Sequence, residues 1–357
     1  MRRRRRTLSI ATALAALAAG VGVAVPAGAA PPSPRYVVMG DSYSAGNGTG
    51  TYEERTCWRS PDTYAAKVAA QDGADLTNVA CSGGVVADIT QPRALGSPFV
   101  RTATYEVSGT ATVQQRKWLQ RAEAEALCGT PAQPDWHYEQ TITSSAPAGR
   151  QLTATVSCQL TAAAQVDAVT PRTDAVFLTV GGNDIGFSSI VLQCLVLRSA
   201  TGCKGTIDAA NATLPTLKSE TVAALTEIRK RSRGNAEVYL LGYPHLINTD
   251  SYRIPEAAPT YDAGRALHDL QLLGDDLQRE GVAELDAGAR GNGGFTFVDV
   301  KPAWGGMAHG IDPRTAADNS QAWLVPVLAP GRELPEWVHP TVEGHTATAS
   351  ALTAALR

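Results

Sequence analysis

Nucleophilic catalysis by a side chain requires a nucleophile, a base to take its proton and hydrogen-bond donors for a developing oxyanion. The chain carries residues of each kind, the nucleophile and donor candidates just past apolar runs and the base candidate just ahead of a helix. In "YVVMGDSYSAGNG", residues 36–48, the run stops at Gly40 and Ser42 follows Asp41. A serine placed so is a nucleophile if a base reaches it, but serine and aspartate are also good helix N-caps, and this stretch leaves both readings open. It does not form the Gly-x-Ser-x-Gly elbow, because Ser44 stands where the second glycine would be. "FLTVGGNDIGF", residues 177–187, ends a second apolar run with Gly181, Gly182, Asn183 and Asp184. Glycines let backbone amides approach a ligand and the Asn183 amide is a donor for an oxyanion, although all four residues also form turns. "NVACSGG", residues 78–84, adds a backbone N–H at Gly83 after a third run. "PEWVHPTVEGH", residues 335–345, holds His339 just ahead of a helix that opens at Pro340, with Glu336 three residues before it.

Five other histidines compete for the role of base. His137 lies in a Thr/Ser-rich stretch, His268 in a predicted helix and His345 on the buried face of the last helix. His245, following a strand in "LGYPH", is the positional rival to His339, and His309 in a Gly-rich loop is a weaker one. Asp41 and Asp184 read as loop-shaping acids that bond nearby amides.

These residues must be delivered by regular elements. Short apolar runs at 36–39, 76–80, 175–180, 238–241 and 295–298 predict strands. Helical patterns lie between them, with Ala266, Leu270, Leu273 and Leu277 on one face and His345, Ala349, Leu352 and Leu356 on another. That alternation predicts an α/β fold with a parallel sheet covered by helices, in which sites of chemistry lie beyond the carboxyl ends of the strands. Residues 92 to about 160 break the rhythm with Thr/Ser/Gly/Gln-rich stretches and one helical piece, 114–127, and read as an insertion in a single domain that spans 31–357.

The 357 residues, 44% hydrophobic, suffice for one large core. Arg2 to Arg6, an apolar run over 8–25 and Ala27-Gly28-Ala29 predict an export signal over residues 1–30, compatible with Sec or twin-arginine routes. Without it the chain holds 26 basic and 34 acidic residues, a balance of −8 that argues against nucleic acid and anionic membrane surfaces as partners. Stable membrane insertion is not expected, and a monomer is. Six cysteines in an exported chain, with no CxxC or Cys/His zinc spacing, predict disulfides; sequence neighbours pair Cys57 with Cys81, Cys128 with Cys158 and Cys194 with Cys203, the last alone favoured by spacing. There is no phosphate loop, metal spacing or dinucleotide fingerprint, so no cofactor or metal is expected.

In this order the four stretches resemble the SGNH hydrolases, also called GDSL esterases and lipases, and particularly their secreted actinobacterial branch. "GDSYSAGNG" is similar to the nucleophile block, "NVACSGG" to the glycine block, "VGGNDIGF" to the asparagine block and "HPTVEGH" to the histidine block; "YLLGYP", residues 239–244, is similar to a strand of that group. The resemblance implies a three-layer α/β/α sandwich, flavodoxin-like, around about five parallel strands. It implies that Ser42 attacks an ester carbonyl, that His339 relays the proton, and that Ser42 N–H, Gly83 N–H and the Asn183 side chain bind the oxyanion.

The chain departs from the family pattern at the residue that orients the histidine. An aspartate is usual three residues before it, and Glu336 stands there; either Glu336 or a main-chain carbonyl near Trp337 would hold the His339 tautomer. A cysteine frequent in the loop 304–312 of secreted relatives is missing, so the disulfide pairing is not carried over. The expected activity is carboxylic ester hydrolysis of lipids or other acyl esters by a secreted enzyme. Carbohydrate deacetylation, phospholipid hydrolysis and a catalytically idle secreted binding protein are the alternatives. Apolar residues of the insertion would line an acyl groove, and Trp58, Trp136, Trp304 and Trp337 would pack an acyl chain, stack on a sugar or simply fill the core.

Overall fold

A computed structural model describes residues 32–254, 260–288, 293–314 and 320–357. The segment read as an export signal lies outside the described residues.

The chain enters through β1 (Arg35–Gly40), whose one-turn exit is α1 (Ser42–Ala45), and continues through α2 (Tyr64–Asp72) to β2 (Asp75–Asn78). The insertion contributes β3 (Phe99–Glu106), α3 (Ala111–Ala124), β4 (Trp136–Ala148) and β5 (Gln151–Ala162). The main fold resumes with β6 (Ala175–Thr179), α4 (Ala200–Ser232), β7 (Glu237–Leu241), α5 (Ala263–Ala287), β8 (Phe295–Val298) and α6 (Val342–Ala355).

The five strands expected from the apolar runs form one sheet in the order β8-β7-β6-β1-β2. Every pairing is parallel, with Val38 opposite Asn78 on one side and Phe177 on the other. The central strands β1, β6 and β7 are continuous runs buried on both faces, while β2 at the edge is partly exposed. Val38, Met39, Phe177, Leu178, Leu240 and Leu241 are all fully enclosed, each such side chain contributing roughly 1.5–3 kcal/mol on removal from water. Two helix pairs supply the cover, α2 against α6 and α4 against α5. Ser33–Arg357 form one compact unit.

The α5 stripe differs from the expected one. Leu273 is exposed, Ala266 and Leu277 are only half-buried, and the buried face runs through Leu267, Leu270, Asp275, Gln278 and Val282. Polar Asp275 and Gln278 hid it from a count of apolar spacing. In the insertion, the Thr-rich stretches are strands: β3 and β4 flank β5 in an antiparallel sheet, with α3 laid against it. Leu152, Ala154, Val156 and Cys158 alternate inward beneath Trp118 and Ala122, while threonines and serines alternate outward. The three disulfides join Cys57 to Cys81, Cys128 to Cys158 and Cys194 to Cys203, the sequence-neighbour pairing.

Candidate active site

β1 and β6 end side by side, and Gly40 closes the gap between them. Its φ is +107°, and a Cβ there would lie 2.0 Å from the Thr179 carbonyl oxygen, so only glycine fits. The next residue is the N-cap of α1: the Asp41 carboxylate accepts from Tyr43 N at 3.0 Å. Capping is therefore done by Asp41, which leaves the hydroxyl of Ser42, the first helical residue, free for another partner.

That partner is His339. Its Nε2 lies 2.7 Å from Ser42 Oγ, both residues being more than nine-tenths buried. On the opposite side of the ring, Nδ1 lies 2.8 Å from the main-chain carbonyl of Trp337, which as an acceptor fixes the tautomer with the proton on Nδ1 and the lone pair facing Ser42. Val338, between them, has φ +61° and no exposure. A β-branched residue in the left-handed region costs on the order of 1–3 kcal/mol and is kept only where neighbours hold it. Here Tyr43 OH donates to the Val338 carbonyl at 2.5 Å and Val338 N donates to Val325 O at 2.7 Å.

Of the two groups expected to orient the ring, the Trp337 carbonyl takes the place and the Glu336 carboxylate does not. That carboxylate accepts from Tyr52 OH, Arg332 Nη1 and Glu333 N, each at 2.8 Å, and makes no hydrogen bond to His339. The glutamate chain is turned back onto its own helical turn, and the Trp337 carbonyl occupies the ring's second nitrogen.

The donors expected at an oxyanion hole are arranged around the same turn. Asn183 Nδ2 donates one hydrogen to Gly84 O at 2.8 Å and keeps a second. Neither Ser42 N–H nor Gly83 N–H has an acceptor among the described residues. Cys81 N donates to Gly40 O at 3.1 Å, which holds the glycine loop against the nucleophile turn, and Asp184 accepts from Val86 N, which ties the asparagine loop to the glycine loop.

Sequence reasoning did not single out Tyr243. Its hydroxyl donates to Asp41 Oδ2 and accepts from Gly182 N at 3.1 Å, joining three loops, and its place in "LGYPH" just past β7 was the available signal. Thr179 Oγ1 adds a bond to Asp41 Oδ1 at 2.7 Å. Burial raises the Asp41 carboxyl to about 6, against the pull of these hydrogen bonds. Burial pushes His339 down to about 4, opposed by the Trp337 carbonyl and by Glu336, so the ring is neutral and basic at neutral pH. The other histidines stand elsewhere. His245 stacks on His268, His309 on Trp323 and His345 on Tyr64, while His137 lies on β4.

A cavity of about 80 Å³ opens at Asp41, Ser42 and Asn183 and passes between α4 and α5. Phe187, Ile190, Leu214, Leu217, Leu267 and Leu270 make its walls, and Gln271, Asp275 and Gln278 lie along its α5 side. Those polar side chains are engaged: Gln271 with Pro244 O, Gln278 with Val180 O and Asp275 with buried Lys301. No residue of the insertion lines this cavity, and neither do Trp58, Trp136, Trp304 or Trp337. The expectation that insertion residues would line the apolar groove does not hold for this cavity: many of their apolar side chains pack in the insertion's own core, and Leu95, Trp136 and Leu160 pack against Cys57 and Cys81. Among the described residues no group of three or more His, Cys, Asp or Glu is placed to hold a metal ion, and no helix is long and apolar enough to cross a membrane.

Residues 36–352 match the model of the family described as GDSL-like Lipase/Acylhydrolase. A lipase of Streptomyces rimosus is 24% identical over 90% of this chain and 87% of its own length. Lipase 2 of Streptomyces coelicolor is 27% identical over 88% and 83%. Among solved structures, phospholipase A1 from Streptomyces albidoflavus NA297 superposes with a TM-score of 0.56 at 21% identity, covering 90% of this chain and 99% of that one. The extracellular lipase of Streptomyces rimosus gives 0.55 at 22% identity, with 90% and 100% covered.

Proposed function

The chain belongs to the GDSL-like lipase/acylhydrolase family and is a carboxylic ester hydrolase, and from that premise we propose that it is an exported serine esterase of acyl lipids that works through an acyl-enzyme on Ser42. The observation that carries the reading is the 2.7 Å contact of Ser42 Oγ with a His339 ring whose other nitrogen meets the Trp337 carbonyl, at the mouth of an apolar cavity. His339 Nε2 takes the Ser42 proton as Oγ bonds to the ester carbonyl carbon. The carbonyl oxygen becomes an oxyanion held by Ser42 N–H, Gly83 N–H and Asn183 Nδ2, each such donor contributing roughly 3 kcal/mol to the transition state. The intermediate expels the alcohol, which receives the proton from His339. Water then attacks the acyl-enzyme by the same route and releases the carboxylic acid. The acyl chain lies in the cavity between α4 and α5, where Leu214, Leu217, Leu267 and Leu270 desolvate it.

Three disulfides, and an extracellular lipase among the structural relatives, support export; residues 1–30 are then the signal removed, leaving one catalytic domain that acts as a monomer.

The test is hydrolysis of p-nitrophenyl esters from acetyl to palmitoyl. Ser42→Ala is expected to abolish turnover with the thermal midpoint nearly unchanged, and His339→Ala to lower kcat by on the order of 10³-fold or more. Retained turnover in Ser42→Ala, or a loss on His245→Ala in place of His339→Ala, rejects the assignment.

A further inference from the structure

The loop that carries His339 is fastened to the loop that follows the nucleophile at several points. Tyr52 OH donates to Glu336 Oε1 at 2.8 Å and accepts from Gly48 N at 3.1 Å and Gly50 N at 3.3 Å. Fully buried Asn47 donates to Pro335 O at 2.7 Å and to Ser82 Oγ at 2.9 Å. Gly48, at φ +91°, lies so close that a Cβ would stand 2.8 Å from the His339 carbonyl oxygen and 2.6 Å from that of Pro340. Glu336 in turn fixes its own turn through Glu333 N and Arg332 Nη1, and the carbonyl presented to the histidine belongs to the very next residue, Trp337.

A carbonyl on a loop is a poorer orienting group than a buried carboxylate unless the loop is held. It carries a dipole in place of a charge, and a drift of about 1 Å at a reacting group costs up to roughly 100-fold in rate. The Glu336 cluster supplies both missing properties. It immobilises the turn, and it places a carboxylate near the ring; hydrogen bonds from Glu333 N, Tyr52 and Arg332 outweigh the effect of its burial and hold it below the usual carboxylate range, hence ionised.

We propose that Glu336 and Tyr52 are positioning residues that hold the Trp337 carbonyl on His339, so that the carboxylate acts on the base through the main chain and through space without touching the ring. The proposal rests on the serine esterase reading and deepens it.

The test compares wild type with Tyr52→Phe, Glu336→Gln and Glu336→Ala on p-nitrophenyl butyrate, with kcat, KM, the pH profile of kcat/KM, the thermal midpoint and the rate at which an organophosphonate labels Ser42. Each substitution is expected to lower kcat and the labelling rate together by on the order of 10- to 100-fold, with KM within about twofold. Glu336→Gln retains more activity than Glu336→Ala, because it keeps an acceptor for Tyr52. Glu336 is the charge that acts on His339 within the loop; Tyr43 and Phe187 face the ring from the other side without charge, and His345 is neutral. Both Glu336 substitutions should therefore move the acid limb of the profile to lower pH, while Tyr52→Phe, which leaves the carboxylate in place, should not. Wild-type kcat and labelling in Tyr52→Phe overturns the proposal, as does a loss in every variant that follows the thermal midpoint with the acid limb unmoved. An enzyme that neither turns over esters nor labels at Ser42 overturns the esterase reading itself; an active wild type with indifferent variants removes only the clamp.

Discussion

At the scale of single residues, the site depends on keeping an imidazole dry and unprotonated. His339 loses hydration on burial, and the Trp337 carbonyl and Glu336 return only part of that loss, so its pKa falls from 6.5 to about 4. In the proposed mechanism the base is the neutral ring; a depressed pKa then means that activity, present above it, is lost only as pH falls through that lower value. The acid limb of kcat/KM for a neutral p-nitrophenyl ester is expected well below 6, and a limb at or above 6.5 would mean that water or substrate reaches the ring more freely than its burial implies. Ser42, Asn183 and His339 were legible because each stands just past a strand or ahead of a helix in a recognisable phrase. For the group that meets Nδ1 the sequence left two readings, Glu336 or a main-chain carbonyl near Trp337, since a carbonyl has no letter of its own; the structure places the Trp337 carbonyl there. Glu336 occupied the expected letter, and its side chain was drawn off by Tyr52, 284 positions away in the chain. Tyr243 had a signal, a polar ring at a strand exit, but its value lay in joining Asp41 to Gly182, which only the folded sheet brings together.

At the scale of elements, the central parallel strands β1, β6 and β7 announced themselves because burial on both faces leaves almost no polar position to interrupt an apolar run, whereas edge strand β2, partly exposed, carries Asp75, Thr77 and Asn78. The insertion strands were obscure for the opposite reason: one face is solvated, and threonine and serine dominate its sequence although the inward set Leu152, Ala154, Val156 and Cys158 has period two. Under the proposed function the α4–α5 pair holds the acyl chain. Leu214 and Leu217 flank Pro215, which cannot donate within α4, and face Leu267 and Leu270 of α5 across the cavity. A bulky ring there should shorten the accepted acyl chain. Leu270→Trp is expected to lower kcat/KM for octanoyl and longer esters by on the order of tenfold or more, with acetyl ester hydrolysis changed less than about threefold, because only the chain's distal methylenes lose their contacts. Equal losses for acetyl and octanoyl esters would place the acyl chain somewhere other than between these helices.

At the scale of the whole molecule, the disulfides divide by what they hold. Cys128 and Cys158 are 30 positions apart and close within the insertion, beneath Trp118, in a small core separate from the one around the sheet. Cys57 and Cys81, 24 positions apart, join the loop beyond the nucleophile to the glycine loop two residues before Gly83. Arg59 reinforces that junction, donating to Ala80 O at 2.9 Å and to both carboxylate oxygens of Asp135 at 2.8 and 2.6 Å at the root of the insertion. Each bridge should contribute roughly 2–5 kcal/mol by constraining the unfolded chain, so their loss is expected to lower stability comparably while affecting catalysis unequally. Cys128→Ala with Cys158→Ala should lower the thermal midpoint and leave short-ester kcat near wild type, because nothing in the cavity belongs to the insertion. Cys57→Ala with Cys81→Ala should lower both, since a freed glycine loop no longer presents Gly83 N–H to the oxyanion. Differential scanning calorimetry alongside p-nitrophenyl butyrate turnover separates the two contributions. Unchanged kcat in the Cys57/Cys81 pair would show that Gly83 is held by its hydrogen bonds alone, whereas a large kcat loss in the Cys128/Cys158 pair would bring the insertion into the catalytic cycle after all.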